Sequence, residues 1–315
     1  GNNRLQKGGE TVEWGLPAVR STDPRHTGVI DAGYFDGEDT TISRWPNQIA
    51  MTATYDPAVF TRFGEIVSAE YRAIGIQMML GPQMDMITEP RWGRAGSSFT
   101  EDLVLNADVA GAFIEAMQTD TAEKPSLYGL DEDWGAGSVA TMAKHWPSGG
   151  NGEAGLAGHP DDGKFGVYPG NSFESVMDAF ANGAGFKPVY KDTTRQSASV
   201  MPYYTIPFDQ DPSGKNVGNN FSSYIVQQRL RDDLDYDGMV CTDWGIQSRM
   251  YWGVEDGKGY TTAYRILCGM LAGIDQQGGY SPLSVMKEAY DMGVNGSTEF
   301  GIDPLGEDYM HALLD

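Results

Sequence analysis

The chain has 315 residues, with 22 lysine and arginine residues against 44 aspartate and glutamate residues, so its formal net charge is −22. This charge repels phosphate backbones and argues against a nucleic-acid partner, whereas it suits a neutral small substrate. Hydrophobic residues make up 40% and charged residues 21%, a composition typical of a folded globular protein. No run of about 18 apolar residues is present, so no membrane-spanning segment is predicted.

Metal and cofactor motifs are absent from the sequence. The four histidines and two cysteines do not have the spacing of a metal site. The glycine-rich stretches lack the Walker pattern, and there is no Gly-x-Ser-x-Gly motif for a serine nucleophile. We therefore predict neither a metal nor a cofactor.

Short apolar runs alternate with helical patterns, which is typical of βαβ units around a parallel sheet. The spacing of apolar residues predicts helices over 57–74, 103–118, 221–234, 264–271 and 282–292. Apolar runs followed by polar residues predict strands at 16–19, 76–80, 139–143, 199–201, 238–241 and 272–274. Parallel strands that end in polar groups at one face are what the active site of an α/β barrel requires, and a barrel takes about 250 residues.

The segment 148–195 is rich in glycine, aspartate and asparagine and has weak periodicity. A stretch of this length is usually functional or disordered. We expect an ordered excursion over the face that carries the active site.

Asp243 is the first candidate for chemistry, because it follows the apolar run 238–241 and precedes Trp244. A carboxylate beside an aromatic ring is placed to meet a sugar, whose apolar C–H face stacks on such rings. Glycosidases need one carboxylate to attack the anomeric carbon and a second acid to protonate the leaving oxygen. From the spacing alone, an aspartate that caps the next helix explains the residue at least as well.

Basic residues follow two of the other predicted strands. Lys144 and His145 could donate hydrogen bonds to sugar hydroxyls, and Lys144 could also form a Schiff base or pair with a carboxylate. Arg91 and Arg94 flank Trp92, and guanidinium groups suit bidentate contacts with hydroxyls or carboxylates. Ion pairs that join loops are the alternative for both arginines.

Seven segments in this order resemble glycoside hydrolase family 3, in its multidomain β-glucosidase branch. They are Gly-Pro-Gln-Met-Asp at 81–85, Pro-Arg-Trp-Gly-Arg at 90–94, Ser-Phe-Thr-Glu-Asp at 98–102, Ala-Lys-His-Trp-Pro at 143–147, Val-Met-Pro-Tyr-Tyr at 200–204, Cys-Thr-Asp-Trp-Gly at 241–245 and Ala-Gly-Ile-Asp at 272–275. The resemblance implies an α/β fold, a (β/α)8 TIM-type barrel that is incomplete at both ends of this sequence. Residues 1–315 would form the N-terminal catalytic barrel of the family.

The activity that the resemblance implies is that of a retaining, exo-acting β-glycosidase, most closely a β-glucosidase, with Asp243 as the nucleophile. It also implies sugar-binding roles for Asp23, Arg94, Lys144, His145, Met201, Tyr204, Trp244 and Arg249. Asp31 is a rival to Asp23, but the Gly-x-Pro spacing upstream favours Asp23. A carbohydrate, either a β-glucoside or an oligosaccharide, would be the substrate.

The general acid/base of this branch is a glutamate from a second α/β domain that follows the barrel, and we expect that domain to be absent from these residues. Short single-domain hexosaminidases of the family use a loop histidine instead, for which His159 is a weak substitute here. Two other functions stay open, a Schiff-base aldolase-type barrel using Lys144 and a non-catalytic sugar-binding barrel. Family members that act on plant glycans favour a periplasmic or secreted location. A homo-oligomer is compatible with the sequence.

Overall fold

Strands and helices alternate along most of the chain. The computed structural model describes residues 43, 45–121, 133–158, 163–247 and 260–313, and the backbone of three short strands before them. The strands are β1 Gln6–Lys7, β2 Glu10–Thr11, β3 Ser21–Thr22, β4 Met78–Met79, β5 Ala140–Trp146, β6 Phe165–Gly166, β7 Ser199–Pro202, β8 Ile206–Pro207 and β9 Met239–Val240. The helices are α1 Gln48–Thr52, α2 Pro57–Ala73, α3 Leu103–Gln118, α4 Phe173–Gly183, α5 Thr262–Ala272, α6 Leu283–Asn295 and α7 Glu307–Ala312, with a π-helix over Tyr224–Asp232.

One parallel sheet contains the strands β3, β4, β5, β7 and β9, hydrogen-bonded in that order. In its register Met79 pairs with both Thr22 and Thr141, and Val200 pairs with Val240. The other described strands form two-stranded sheets, with β1 and β2 antiparallel and β6 and β8 parallel. Because all five strands of the main sheet run in one direction, their carboxyl ends meet at the same face of the molecule.

The predicted helices over 57–74, 103–118, 264–271 and 282–292 are confirmed as α2, α3, α5 and α6. Side chains cap the first turns of α2 and α3. The Asp56 side chain accepts a hydrogen bond from the backbone N–H of Ala58, and Pro57 occupies the first turn of α2. The Asp102 side chain accepts hydrogen bonds from two backbone N–H groups of the first turn of α3. The predicted helix over 221–234 is confirmed only over its middle, as the π-helix.

The strand predicted at 272–274 is wrong. Ala272 is the last residue of α5, and Gly273 ends the helix with a φ of +99°, the left-handed conformation that glycine adopts most easily. The chain then meets the sheet edge at an isolated bridge between Cys241 and Gln276, and Asp275 also hydrogen-bonds to Val240 of β9. The apolar pattern was misassigned because the end of the helix and the start of the next extended stretch share these residues.

The segment 148–195 contains a helix that the sequence analysis missed. Helix α4 buries Phe173, Val176, Met177 and Phe180, which lie on one face at helical spacing. The described part of the segment is therefore more regular than expected. Its first residues contact the carboxyl ends of the strands, where the Gly149 N–H donates to Asp85.

Apolar side chains pack on both sides of the main sheet. Leu80, Met142, Met201 and Cys241, each within or next to a strand, form an inner cluster. A larger cluster lies between the sheet and the helices, where the Phe63 ring of α2 stacks on a ring of α3 at 5.0 Å. Filling of the strand-enclosed space by side chains is the packing expected inside a barrel. No helix of the described part is long and apolar enough to cross a bilayer.

A buried glutamine joins helix α3 to the amino ends of two strands. The Gln118 Nε2 atom donates hydrogen bonds to the carbonyls of Thr194 (2.8 Å) and Gln196 (2.7 Å). Its Oε1 atom accepts from the backbone N–H groups of Thr141 and Ala198, each at 3.0 Å, and from the Thr141 hydroxyl. This side chain is fully enclosed. It therefore satisfies backbone groups at the end of the sheet opposite to the polar face.

Candidate active site

A buried histidine lies between two carboxylates at the carboxyl ends of the strands. His145, near the end of β5, has its Nδ1 atom 2.8 Å from Oδ2 of Asp85, which follows β4. Its Nε2 atom lies 3.7 Å from Oδ2 of Asp243, which follows β9. All three residues are buried, with Asp243 the least enclosed at 7% exposure. The carboxyl ends of β4, β5 and β9 thus bring two acids and one imidazole together.

Asp85 has partners on both carboxylate oxygens. Its Oδ1 atom accepts hydrogen bonds from the backbone N–H groups of His145 (2.9 Å) and Gly149 (2.6 Å), and its Oδ2 atom contacts the His145 ring. A Cβ atom at Gly149 would lie only 2.7 Å from this Oδ1 atom, so the close approach requires glycine. Asp85 is the last residue of the motif at 81–85, for which no role in the site was predicted.

Electrostatics favour a negatively charged Asp85 beside a neutral His145. Burial lowers the pKa of His145, and this effect outweighs the negative charges of Asp85 and Asp243, which raise it. Burial raises the pKa of Asp85, but its interactions with His145, including two hydrogen bonds, and the positive charge of Arg94 outweigh this effect, so the pKa of Asp85 lies below its usual value. Near neutral pH the carboxylate is therefore ionised and the ring carries a single proton.

Asp243 has one bonded and one unbonded carboxylate oxygen. Its Oδ1 atom accepts a hydrogen bond from the backbone N–H of Trp244 at 2.6 Å. Its Oδ2 atom is buried and accepts none from any described residue. Residues 244–247 form a turn, so no helix starts there within the described range for Asp243 to cap. The capping alternative raised by the sequence is not supported.

The backbone of Asp243 is held by a side chain that sequence reasoning missed. The Asn220 Oδ1 atom accepts a hydrogen bond from the Asp243 N–H at 3.3 Å. Its Nδ2 atom donates to the carbonyls of Pro202 (3.2 Å) and Tyr203 (2.9 Å) at the end of β7. Asn220 is fully buried and so ties the ends of β7 and β9 together. Two consecutive asparagines before a helix were the only local signal.

The two arginines considered above have different environments. Arg94 donates a hydrogen bond to the Gln83 Oε1 atom at 2.7 Å, and Gln83 in turn donates to the Ser98 hydroxyl. The charge of Arg94 acts on the pKa values of both Asp85 and His145, which places it next to this site. Arg91 is exposed and pairs with Glu89 at 2.8 Å, so the ion-pair alternative describes it.

Four other predicted site residues, Lys144, Met201, Tyr204 and Trp244, lie within the described part. Lys144 is buried in β5. Met201 belongs to the inner cluster of the sheet. The Tyr204 hydroxyl donates to the carbonyl of Trp244, whose side chain is 37% exposed. A Cβ atom added at Gly279 would lie 2.4 Å from the Trp244 Cδ1 atom, so this ring packs closely against glycine backbone.

Two predicted sugar-binding residues, Asp23 and Arg249, lie outside the described residues, as do Asp31 and His159. Their assignments stay predictions. Within the described part, no group of three or more histidine, cysteine, aspartate or glutamate side chains is arranged to hold a metal ion.

A parallel α/β fold with polar groups gathered at the carboxyl ends of its strands is the arrangement of α/β-barrel proteins, whose sites form at that face. Residues 13–275 match the sequence model described as the glycosyl hydrolase family 3 N terminal domain. The chain therefore belongs to glycosyl hydrolase family 3, and its fold is the TIM-type barrel of that domain. The resemblance carried by the seven motifs is confirmed.

Similar proteins include the β-glucosidase C of Emericella nidulans, which is 34% identical over 291 residues, 88% of this chain and 42% of the relative. The periplasmic β-glucosidase/β-xylosidase of Dickeya chrysanthemi is 30% identical over 320 residues, 93% of this chain and 44% of the relative. A solved β-glucosidase from Erythrobacter marinus has the same fold, with a TM-score of 0.67 at 21% identity over 96% of this chain and 34% of that chain. The chain spans less than half the length of both curated relatives.

Proposed function

We propose that the protein is a retaining, exo-acting β-glucosidase that removes terminal non-reducing β-D-glucosyl residues. The observation that carries the proposal is the Asp243 carboxylate, buried at the carboxyl end of β9 with its Oδ2 atom unbonded within the described part. This oxygen faces His145, and the adjacent Trp244 ring is partly exposed. The relatives from Emericella nidulans and Dickeya chrysanthemi carry β-glucosidase names, which supports this choice of sugar.

The mechanism proposed is a double displacement. The free oxygen of Asp243 attacks the anomeric carbon as the bond to the leaving group breaks, which gives a covalent α-linked glycosyl-enzyme. A water molecule then attacks the same carbon from the opposite face, and the sugar leaves with its original β configuration. Protonation of the leaving oxygen requires a second carboxyl group about 5–5.5 Å from the first. On the family resemblance we assign that role to a glutamate of a second domain.

Charged and polar groups around Asp243 would bind the sugar hydroxyls. We assign this role to Arg94, Lys144 and His145, together with Asp23 and Arg249. Buried hydrogen-bonding groups that meet the sugar more closely in the oxocarbenium-like transition state than in the ground state raise the rate. Met201, Tyr204 and Trp244 would complete the pocket with apolar and aromatic surface.

Trapping with dinitrophenyl 2-deoxy-2-fluoro-β-D-glucoside tests this proposal. The fluorine slows both steps while the good leaving group lets the first proceed without protonation, so the glycosyl-enzyme accumulates. We expect peptide mass spectrometry to find one fluoroglucosyl group on the peptide that contains Asp243, and none in Asp243→Asn. A label on another residue would refute the nucleophile assignment. Borohydride trapping of a carbonyl substrate on Lys144 would instead support an aldolase-type barrel, and sugar binding without labelling would support a non-catalytic one.

The exposed part of Trp244 predicts an effect on substrate affinity. Trp244→Ala is expected to raise KM for a β-linked disaccharide about tenfold, because loss of ring stacking costs about 1.4 kcal/mol of binding. Trp244→Phe should lie between this variant and the parent. Tyr55→Ala removes a ring that is 76% exposed and serves as the control, with an unchanged KM. Equal KM values for the parent and Trp244→Ala would contradict a stacking role.

A further inference from the structure

Asp85 is a buried carboxylate that the proposed mechanism does not use. Its side chain is fully enclosed, and both of its oxygens are engaged by His145 and the Gly149 N–H. His145 lies between Asp85 and Asp243, with opposite ring nitrogens facing the two acids. Any effect of Asp85 on a sugar bound at Asp243 is therefore transmitted through His145.

The contacts of Asp85 determine which nitrogen of His145 carries the proton. An ionised carboxylate only accepts hydrogen bonds, so at 2.8 Å the Nδ1 atom must be the donor. In a neutral ring the Nε2 atom then has a lone pair and accepts. The separation of 3.7 Å between Nε2 and the Asp243 Oδ2 atom is longer than a hydrogen bond. A sugar hydroxyl can donate to Nε2 without competition from Asp243.

We infer that Asp85 is a positioning residue that holds the Nδ1–H of His145 and thereby presents Nε2 as a hydrogen-bond acceptor to a hydroxyl of the bound sugar. The inference rests on the proposed function for the identity of its ligand. It also gives a reason for the neutral ring. A protonated His145 would direct an Nε2–H at Asp243, and a hydrogen bond to that oxygen would weaken it as a nucleophile.

Asp85 further connects the histidine to the loop after β5. The Gly149 N–H is one of its donors, and the nearby Ser148 hydroxyl accepts from the backbone N–H of Met86, which follows Asp85. The orientation of the ring and the course of the loop are thus set by one short segment after β4. Both depend on an acceptor at position 85.

Nitrogen NMR of the unaltered full chain reads the tautomer directly. With ¹⁵N-labelled histidine, we expect the His145 signals of a ring protonated at Nδ1 near neutral pH. The resonance is assigned by its loss in His145→Gln, which is feasible because the chain has four histidines. A ring protonated at Nε2, or a doubly protonated ring, would overturn the inference. This measurement requires neither substrate nor a variant of Asp85.

Asp85→Asn tests the consequence for activity. The amide can donate to the ring, so it favours the opposite tautomer, in which Nε2 is a donor. We expect the NMR signature to switch and kcat/KM for an aryl β-glucoside to fall about 10- to 100-fold, the usual range for loss of a supporting hydrogen-bond partner. Asp178→Asn makes the same chemical change at a side chain that is 67% exposed and should change neither property.

The outcomes separate this inference from the proposed function. If Asp85→Asn retains both the parental tautomer and the parental kcat/KM, Asp85 does not position His145. Slower labelling of Asp243 by the fluoroglucoside in Asp85→Asn, with the switched tautomer, is the supporting result. Absence of any labelling in the unaltered chain contradicts the glucosidase proposal, while the histidine spectra still report on the Asp85–His145 pair.

Discussion

Asp243→Gly is expected to lower kcat/KM for an aryl β-glucoside by on the order of 10⁴-fold or more, because the variant has no group to form the glycosyl-enzyme. The truncated side chain leaves a buried space next to His145 that a small anion can enter. Added azide should restore turnover by attacking the anomeric carbon from the side that Asp243 occupied. The product is then α-glucosyl azide, and the anomeric coupling constant in its proton NMR spectrum identifies it.

Asp243→Asn provides the matched control for this rescue. Its amide oxygen can still accept the Trp244 N–H, but the amide is not a nucleophile and leaves no space for azide. We expect a comparable loss of activity without rescue. Its melting temperature should equal or exceed that of the parent, since the variant removes a buried charge with an unbonded oxygen. Formation of the β-azide, or retained activity in either variant, would show that Asp243 is not the nucleophile.

Gln118→Met is expected to lower the free energy of unfolding by about 3–5 kcal/mol, because buried polar groups lose their partners. Methionine fills a similar volume, so little of the loss comes from a cavity. The backbone N–H groups of Thr141 and Ala198 and the carbonyls of Thr194 and Gln196 would lose the side chain that satisfies them. Equilibrium urea unfolding followed by circular dichroism measures the change.

The control for this variant is Gln228→Met, the same substitution on an exposed surface. We expect it to alter the unfolding free energy by less than about 0.5 kcal/mol. Because Gln118 lies at the amino ends of β5 and β7, the folded fraction of Gln118→Met should keep the kcat of the parent. A loss below about 1 kcal/mol would mean that the surrounding backbone finds other partners.

Local sequence patterns were enough to predict most of the helices and strands of the described part. The helical spacing of apolar residues located α2 and α3 to within a residue of their ends, and the structure shows that Asp56 and Asp102 cap their first turns. Prediction failed at 272–274, where the residue that ends a helix also begins an extended stretch. It also missed α4, because its glycine-rich surroundings concealed a short amphipathic pattern.

For the candidate site, too, some features could be predicted from local sequence and others could not. The sequence by itself determined that Asp243 and Trp244 follow a buried strand, since this is a property of a single segment. It also placed Lys144 and His145 just after a second strand, whereas the structure extends that strand, β5, to include both residues. Family-specific motifs added the expected roles, including those of Asp23 and Arg249. What residue spacing does not encode is which distant side chains meet.

Only the tertiary structure decided the partners of these residues. His145 meets Asp85 across 60 positions of the chain, and Asp243 meets Asn220 across 23. Gln118 likewise satisfies backbone groups up to 80 positions away. The physical reason is that a buried polar group must find a hydrogen-bond partner, and the parallel packing of the strands determines which one is within reach. The sequence therefore singled out Asp243, the proposed nucleophile, and the folded sheet determined the contacts that hold Asp243 and orient His145.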